Sequence, residues 1–375
     1  MRTVIVSDLH LAVGASIDLL RSEPIRAVLA PELERADRVV LLGDVVELRD
    51  RPQRRAIELA RPVIGWIAAA TGGGELVVVA GNHDHHLVAP WLERRSLGSL
   101  DGIGLEQDVE LPDGALRELT ADAGSARVKV SYPGIWVRPD VYATHGHYLD
   151  RHLTIPTMER LGVAIVERLL GVAPGLDRSA PPASSPEGTA SEYEQVQTPV
   201  YEFLFALAQA SPPDRRAGAD PSLRIWQLLS GGESRAAKIR GWLLGSVALP
   251  GAVGVANRLG LGPVGSDLSP EAITAAGLEA MGEVVDRLRI DARHVVFGHT
   301  HRRGPLADDP EWRAGEMRLW NTGSWVASPT LVGTTGSRSP YWPGTVAIVG
   351  DSGPPELRHL LDGWTLAELE RATGR

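Results

Sequence analysis

The chain has 375 residues, 43% of them hydrophobic, with 38 basic and 47 acidic side chains and a formal net charge of −9. An acidic balance argues against a dedicated nucleic-acid binder, which needs a basic surface, and no apolar run reaches the ~20 residues of a membrane span. There is no cysteine, which excludes disulfides, thiolate metal sites and a cysteine nucleophile. The length suits two average domains or one large domain with an insertion. Met1 leads almost at once into a strand, with no charged head, apolar core and cleavage site before it, so a cytoplasmic protein is expected.

Thr3–Val6 reads as a first buried strand, ending in Ser7-Asp8-Leu9-His10. On an extended backbone Asp8 and His10 point to one face, and a carboxylate beside an imidazole suits a metal of intermediate softness. Ile17–Glu34 is expected to hold a helix. Arg38–Leu42 is the second strand and stops in Gly43-Asp44-Val45-Val46-Glu47. Gly43 lets backbone approach whatever Asp44 holds. Glu47 reads either as a partner behind that site or as a plain helix-start acid. Gln53–Ala70 follows as a helix, and Gly72-Gly73-Gly74 as a turn without the Lys-Ser/Thr of a phosphate loop.

Glu75–Ala80 is a third apolar strand that breaks off in Gly81-Asn82-His83-Asp84. An amide oxygen, an imidazole and a carboxylate then stand at the carboxyl end of a strand, where open α/β sheets bind ligands. Taken alone, Asn82 or Asp84 reads equally well as a helix N-cap. His85 and His86 are expected on the first helical turn, partly solvated.

Residues 98–137 hold short strand-like runs, including Ala126–Val130. Asp140–Thr144 leads into His145-Gly146-His147, and Val295–Phe297 into Gly298-His299-Thr300-His301. Asn321-Thr322-Gly323-Ser324 reads as a turn, Thr345–Val349 and Leu357–Leu360 as strands, and Thr365–Thr373 as a short helix. Eight of the 11 histidines lie in the four motif stretches, and none falls between Leu153 and Arg293. Histidines serving only as core residues would not be so concentrated.

With these motifs the chain resembles the calcineurin-like metallophosphoesterase family over roughly residues 1–150 and 291–350. The resemblance implies an α/β fold (α+β by some schemes), a two-layer β-sandwich flanked by helices. Its core would be 1–150 and 291–375, with a mainly helical insertion or cap at 151–290. It implies one metal ion on Asp8, His10, Asp44 and His301, and a second on Asp44, Asn82, His145 and His299. Two divalent cations ~3.5–4 Å apart need such a shared anion, and together they lower the pKa of a bridging water. Two carboxylates and one hydroxide against two divalent ions leave a surplus of positive charge that attracts phosphate. Mixed imidazole and oxygen ligands favour Mn, Fe, Co, Ni or Zn over Ca or Mg, with Mn placed first. His83 is implied to protonate or stabilise the leaving oxygen, and Asp84 to orient it. His147 and Arg302 are placed as substrate contacts.

Within the insertion, Met158, Leu161, Ile165 and Leu169 mark one face of a helix. Tyr201–Ala210 and Pro270–Leu288 read as helices too. Gly175–Ser191 and Ser211–Pro221, rich in Pro, Ser and Gly, read as loops. Arg235, Lys238 and Arg240 precede a charge-free run, Gly241–Ala256. That run reads either as a buried cap helix with a Gly-rich turn or, with its flank, as a peripheral membrane or lipid contact at 235–256. The expected activity is hydrolysis of a phosphomonoester or phosphodiester in a phosphate-containing small molecule. The alternatives are a pyrophosphatase acting on a nucleotide-linked or lipid-linked substrate and, from another class, a non-catalytic protein-binding scaffold.

Overall fold

The computed structural model describes residues 1–14, 16–98, 102–110, 114–175, 190–210, 254, 257–258, 261–262 and 264–374. The strands are β1 (Thr3–Val6), β2 (Ile17–Asp18), β3 (Arg38–Leu42), β4 (Glu75–Val79), β5 (Glu106–Asp108), β6 (Arg127–Arg138) and β7 (Val141–Thr144), then β8 (His294–Phe297), β9 (Arg303–Gly304), β10 (Arg313–Ala314), β11 (Met317–Thr322), β12 (Val326–Ala327), β13 (Thr345–Val349) and β14 (Glu356–His359). The helices are α1 (Glu23–Glu34), α2 (Gln53–Ala70), α3 (Ala89–Gly98), α4 (Ala115–Leu119), α5 (Met158–Leu170), α6 (Ala190–Ala210), α7 (Pro270–Arg287), α8 (Pro329–Val332) and α9 (Leu366–Thr373). Two compact units result. One comprises Met1–His147, Ile290–Arg375 and the stretch beginning at Tyr201; the other comprises Tyr148–Val200 and the stretch ending at Arg289.

All the described strands belong to the first unit. Twelve form one large mixed sheet in the order β10-β11-β8-β7-β6-β4-β3-β1-β13-β14, with β5 beside β6 and β9 beside β11. β1, β3 and β4 are almost wholly apolar and buried, as expected of parallel strands covered on both faces. A two-layer sandwich was expected; the pairing forms one continuous ladder, because the 12-residue β6 changes partners along its length. Its first half pairs with β4 in parallel, from Glu75↔Arg127 to Val79↔Ser131, and its second half with β7 antiparallel, from Gly134↔Thr144. One apolar cluster draws on both arms: Ile5, Val40, Val77 and Val79 meet Ile135, Val141, Ala143 and Val296. α2 buries Ile57, Ala60, Ile64 and Ile67, one stripe of an amphipathic helix. The helix expected over Ile17–Glu34 starts only at Glu23; β2 and a short 3₁₀ turn come first.

In the second unit α5 departs from its expected packing. Its buried residues are Arg160, Val163, Ala164 and Glu167, whereas Met158, Ile165 and Leu169 are exposed. The reason is an internal ion network. Arg151 Nε lies 2.9 Å from Glu167 Oε1, and Arg160 Nη1 lies 3.5 Å from Glu167 Oε2. Most of the two expected loops, and all of 235–256 but Gly254, lie outside the described residues. Among the described residues no helix is long and apolar enough to cross a membrane.

Candidate metal centre

β1, β3 and β4 lie side by side in parallel, so their terminal loops leave the same edge of the sheet. Backbone bonds tie the first two loops together: Asp8 N–H donates to Gly43 O (3.1 Å), His10 N–H to Asp44 O (2.8 Å) and Leu11 N–H to Val45 O (3.0 Å). The loops after β7 and β8 are joined by Gly298 N–H donating to His145 O (2.9 Å). Asn321 Nδ2 then donates to Gly298 O and Thr300 Oγ1 (2.9 and 3.0 Å), which fixes the Gly-His-Thr-His loop.

This frame brings together the seven side chains expected as metal ligands. His301 Nε2 lies 3.3 Å from Asp8 Oδ1 and 3.0 Å from His10 Nε2. Asp44 Oδ2 lies 3.5 Å from His10 Nε2 and 3.3 Å from His145 Nε2. Asn82 Oδ1 lies 3.3 Å from His145 Nε2 and 3.1 Å from His299 Nδ1. The triads Asp8-His10-His301 and Asp44-His145-His299 each have ligand atoms within 4.8 Å of one another, as does His10-Asp44-His83. Lone-pair donors facing each other at these distances suit a divalent cation of intermediate softness. Partners fix the imidazoles from behind: His145 Nδ1 donates to Leu42 O and His10 Nδ1 to Glu47 Oε2, both at 3.0 Å. Each ring thereby keeps Nε2 for the site.

The backbone is strained where the ligands stand. Among the described residues seven non-glycines have positive φ; five are Asp8 (51°), His10 (41°), Asp44 (49°), His299 (67°) and His301 (57°). Each such conformation costs of order 1–3 kcal/mol. Asp8 and His10 therefore reach a common site from a left-handed backbone, not from the extended one expected. Two glycines make room. A Cβ at Gly43 (φ 81°) would strike the His145 ring, and one at Gly298 would strike Asp8 and Ser7.

Charge sharpens the picture. Burial opposes ionisation of Asp44, but the imidazoles of His145, His83 and His10 outweigh it and hold the carboxyl well below its usual range. Burial likewise works against a proton on His10. The bond to Glu47 and the charges of Asp44, Glu47 and Asp8 overcome it and push the pKa up to about 10. His145 is raised to about 9 in the same way, against burial, mainly by Asp44 and Asp8. Without cations, protons on two imidazoles stand in for them.

Residues 1–179 match the family model of the calcineurin-like phosphoesterases. That part of the chain belongs to this family. The protein is thus a metal-dependent phosphoric ester hydrolase by class, and its fold is the family's, with mixed α/β content around a large sheet. A solved structure described as a dimetal phosphatase from Danio rerio matches with a TM-score of 0.37 and 15% identity, over 95% of this chain and 98% of that one. No curated protein matches.

In this phosphoesterase His83 stands beside the ligands, its ring centroid 4.8 Å from that of His10. Its Nδ1 donates to Glu47 Oε2 at 2.8 Å, so Glu47, not Asp84, orients it. The same carboxylate oxygen serves His10. Asp84 instead holds backbone, accepting from Gly81 N–H and Val45 N–H, both at 2.7 Å. Burial and the charge of Asp44 push its pKa up to about 6. His147 is buried, with its Nε2 3.2 Å from Tyr132 Oη. Burial and the neighbouring His145, His85 and His299 keep it neutral. Arg302 is turned away from the expected phosphate contact: it makes paired bonds to Asp309 (2.9 and 3.0 Å) and lies over Trp312.

The helix expected at Tyr201–Ala210 is the second half of α6, but its contacts with the loops of the site were not foreseen. Tyr201 Oη donates to His147 O (3.3 Å), Glu202 meets His86 Nδ1 (2.7 Å), Phe205 stacks on the His86 ring, and Gln209 Nε2 donates to Leu48 O (2.8 Å). His85, expected to be partly solvated, is buried against Tyr201. Arg49 was also missed; its Nη2 donates to Asn82 O at 2.7 Å. No motif in the sequence marks these residues.

Proposed function

We propose that this protein hydrolyses a phosphoester bond of a phosphate-containing small molecule, using two divalent transition-metal ions, manganese first among the candidates. Asp8, His10, Asp44 and His301 hold one ion, and Asp44, Asn82, His145 and His299 the other. The observation that carries the reading is the position of Asp44, whose carboxylate reaches donors of both sets. Ions held in this way polarise phosphoryl oxygens and supply an attacking water of lowered pKa. The chain's residues do the rest. Asp8 and Asp44 balance the cationic charge. His83, His299 and His301, the partly exposed members, are where a phosphate enters. Glu47 accepts from His83 Nδ1–H and its charge favours the imidazolium form, against burial; the Nε2–H of that form gives the proton to the leaving oxygen. Residues 151–290 act as an insertion that sets substrate choice.

The test is a turnover screen of metal-stripped protein resupplied with Mn, Zn or Co. It compares a chromogenic monoester, a chromogenic diester, a nucleotide-sugar pyrophosphate and single-stranded DNA. Metal-dependent turnover of a monoester or diester supports the reading; no turnover under any metal, or turnover of the pyrophosphate or DNA alone, overturns it.

A further inference from the structure

Ser7, Asp8 and Thr322 are wholly buried, and their side chains form a chain of hydrogen bonds across a sequence separation of 315 residues. Ser7 Oγ lies 2.5 Å from Asp8 Oδ2, 2.5 Å from Thr322 Oγ1 and 3.2 Å from Gly323 O. The direction of the bonds follows from the donor inventory. A carboxylate that binds a cation carries no proton and only accepts. Ser7 has one O–H, and of its acceptors the charged, nearer carboxylate takes it. Ser7 Oγ then has only lone pairs for Thr322. The Thr322 hydroxyl therefore donates to Ser7 rather than to the more distant Phe297 O at 3.3 Å. The order is Thr322 to Ser7 to Asp8 Oδ2.

This divides the two oxygens of Asp8. Oδ2 faces Ser7. Oδ1 lies 3.3 Å from His301 Nε2 and 4.0 Å from His10 Nε2, the imidazoles with which Asp8 forms one of the candidate metal triads. The stretch after β11 also holds the Asp8 main chain, because Trp325 N–H donates to Asp8 O at 3.0 Å. Gly298 packs against the other side of the hydroxyl chain, where a Cβ would stand 2.4 Å from Ser7 Oγ. The Asn321-Thr322-Gly323-Ser324 motif is thus more than a turn.

We propose that Ser7, with Thr322 behind it, is a positioning residue of the metal centre: the two hydroxyls hold Asp8 so that Oδ1 alone meets the ion shared with His10, Asp44 and His301. Carboxylate ligands are commonly fixed by such partners, whose loss costs about 10–100-fold in metal affinity. This role rests on the ligand set proposed above, and the two can fail separately.

The test is calorimetric titration of the metal-stripped full chain with manganese. Wild-type protein is expected to show two binding events. Ser7→Ala should weaken one about 10–100-fold and leave the other nearly unchanged, because Asn82, His145 and His299 stand outside the hydroxyl chain. Thr322→Val, close to threonine in shape, should weaken the same event, and Thr322→Ser, which keeps the hydroxyl, should bind as wild type does. Adding Thr322→Val to Ser7→Ala should cost little more, since Thr322 acts through Ser7. Circular dichroism and urea midpoints of the stripped variants separate loss of fold from loss of binding. A folded Ser7→Ala variant that keeps both affinities, or loses both alike, overturns the proposal, as does Thr322→Ser binding as weakly as Thr322→Val; two wild-type events would still leave the ligand set standing. Wild-type protein that binds no manganese overturns both.

Discussion

Removing the ions should make this fold sensitive to alkaline pH. In the metal-free chain the charges of Asp8 and Asp44 are balanced by protons on His10 and His145, whose pKa values rise from 6.5 to about 10 and about 9. Below about pH 6.5 these protons are bound in folded and unfolded chain alike, and their contribution is fully present. Above it only the folded chain keeps them, so stability falls until the folded pKa values are passed. At ~1.4 kcal/mol per unit, His145 alone accounts for ~3 kcal/mol and His10 for ~5. Both protons draw on the same carboxylates, so the two do not add; a loss of about 3–5 kcal/mol in all is expected. Bound cations remove the effect, since they replace the protons and bind more tightly as pH rises. The assay is urea unfolding of chelator-treated protein at about pH 6.5 and about pH 9.5, with and without manganese. The midpoint should drop across this window only without metal. A metal-free midpoint equal at both ends would refute the reasoning.

Three further outcomes follow from the geometry. Glu47→Gln should cut turnover about 10–100-fold, more on esters with poor leaving groups, where His83 is needed, than on an activated aryl ester, where only the loosened His10 is felt. In a His83→Ala background it should still lower turnover on both, through the loosened His10, but without the leaving-group dependence, which leaving-group series of the single and double variants will check. Gly298→Ala drives a Cβ into Asp8 and Ser7, so calorimetry should find weakened metal binding, whereas exposed Gly363→Ala should leave it unchanged. Arg302→Ala should keep kcat/KM within about twofold, as is usual for a side chain outside the reaction, because its guanidinium is held by Asp309.

The strands carrying the motifs were legible because each is a short, mostly apolar run stopped by a polar cluster, which opens with Ser after β1 and with Gly after β3 and β8. Once β1, β3 and β4 are parallel neighbours, Asp8, Asp44 and Asn82 share an edge. What the chain path adds was not legible. Glu47 turns back onto His10 and His83 only because the segment after β3 is tied to Leu11 by Glu47 N–H donating to Leu11 O. The sheet is continuous because β6 is long enough to serve two sets of neighbours, a property of pairing and not of pattern. For α5 the 3-4-4 spacing identified a face but not which way it turns. Arg160 and Glu167 form a second face seven residues apart, and their ion network decided the direction. Arg302 adjoins His301 in sequence, yet Asp309 seven residues on takes its guanidinium.

The central claim is that Asp44 stands between two cations held by residues from both ends of the chain. Anomalous diffraction from crystals of the manganese-loaded protein tests it most directly. The account requires two peaks ~3.5–4 Å apart, one touching Asp8, His10 and His301, the other Asn82, His145 and His299, and both touching Asp44. Peaks elsewhere, or a single ion that leaves Asp44 uncoordinated, would contradict it.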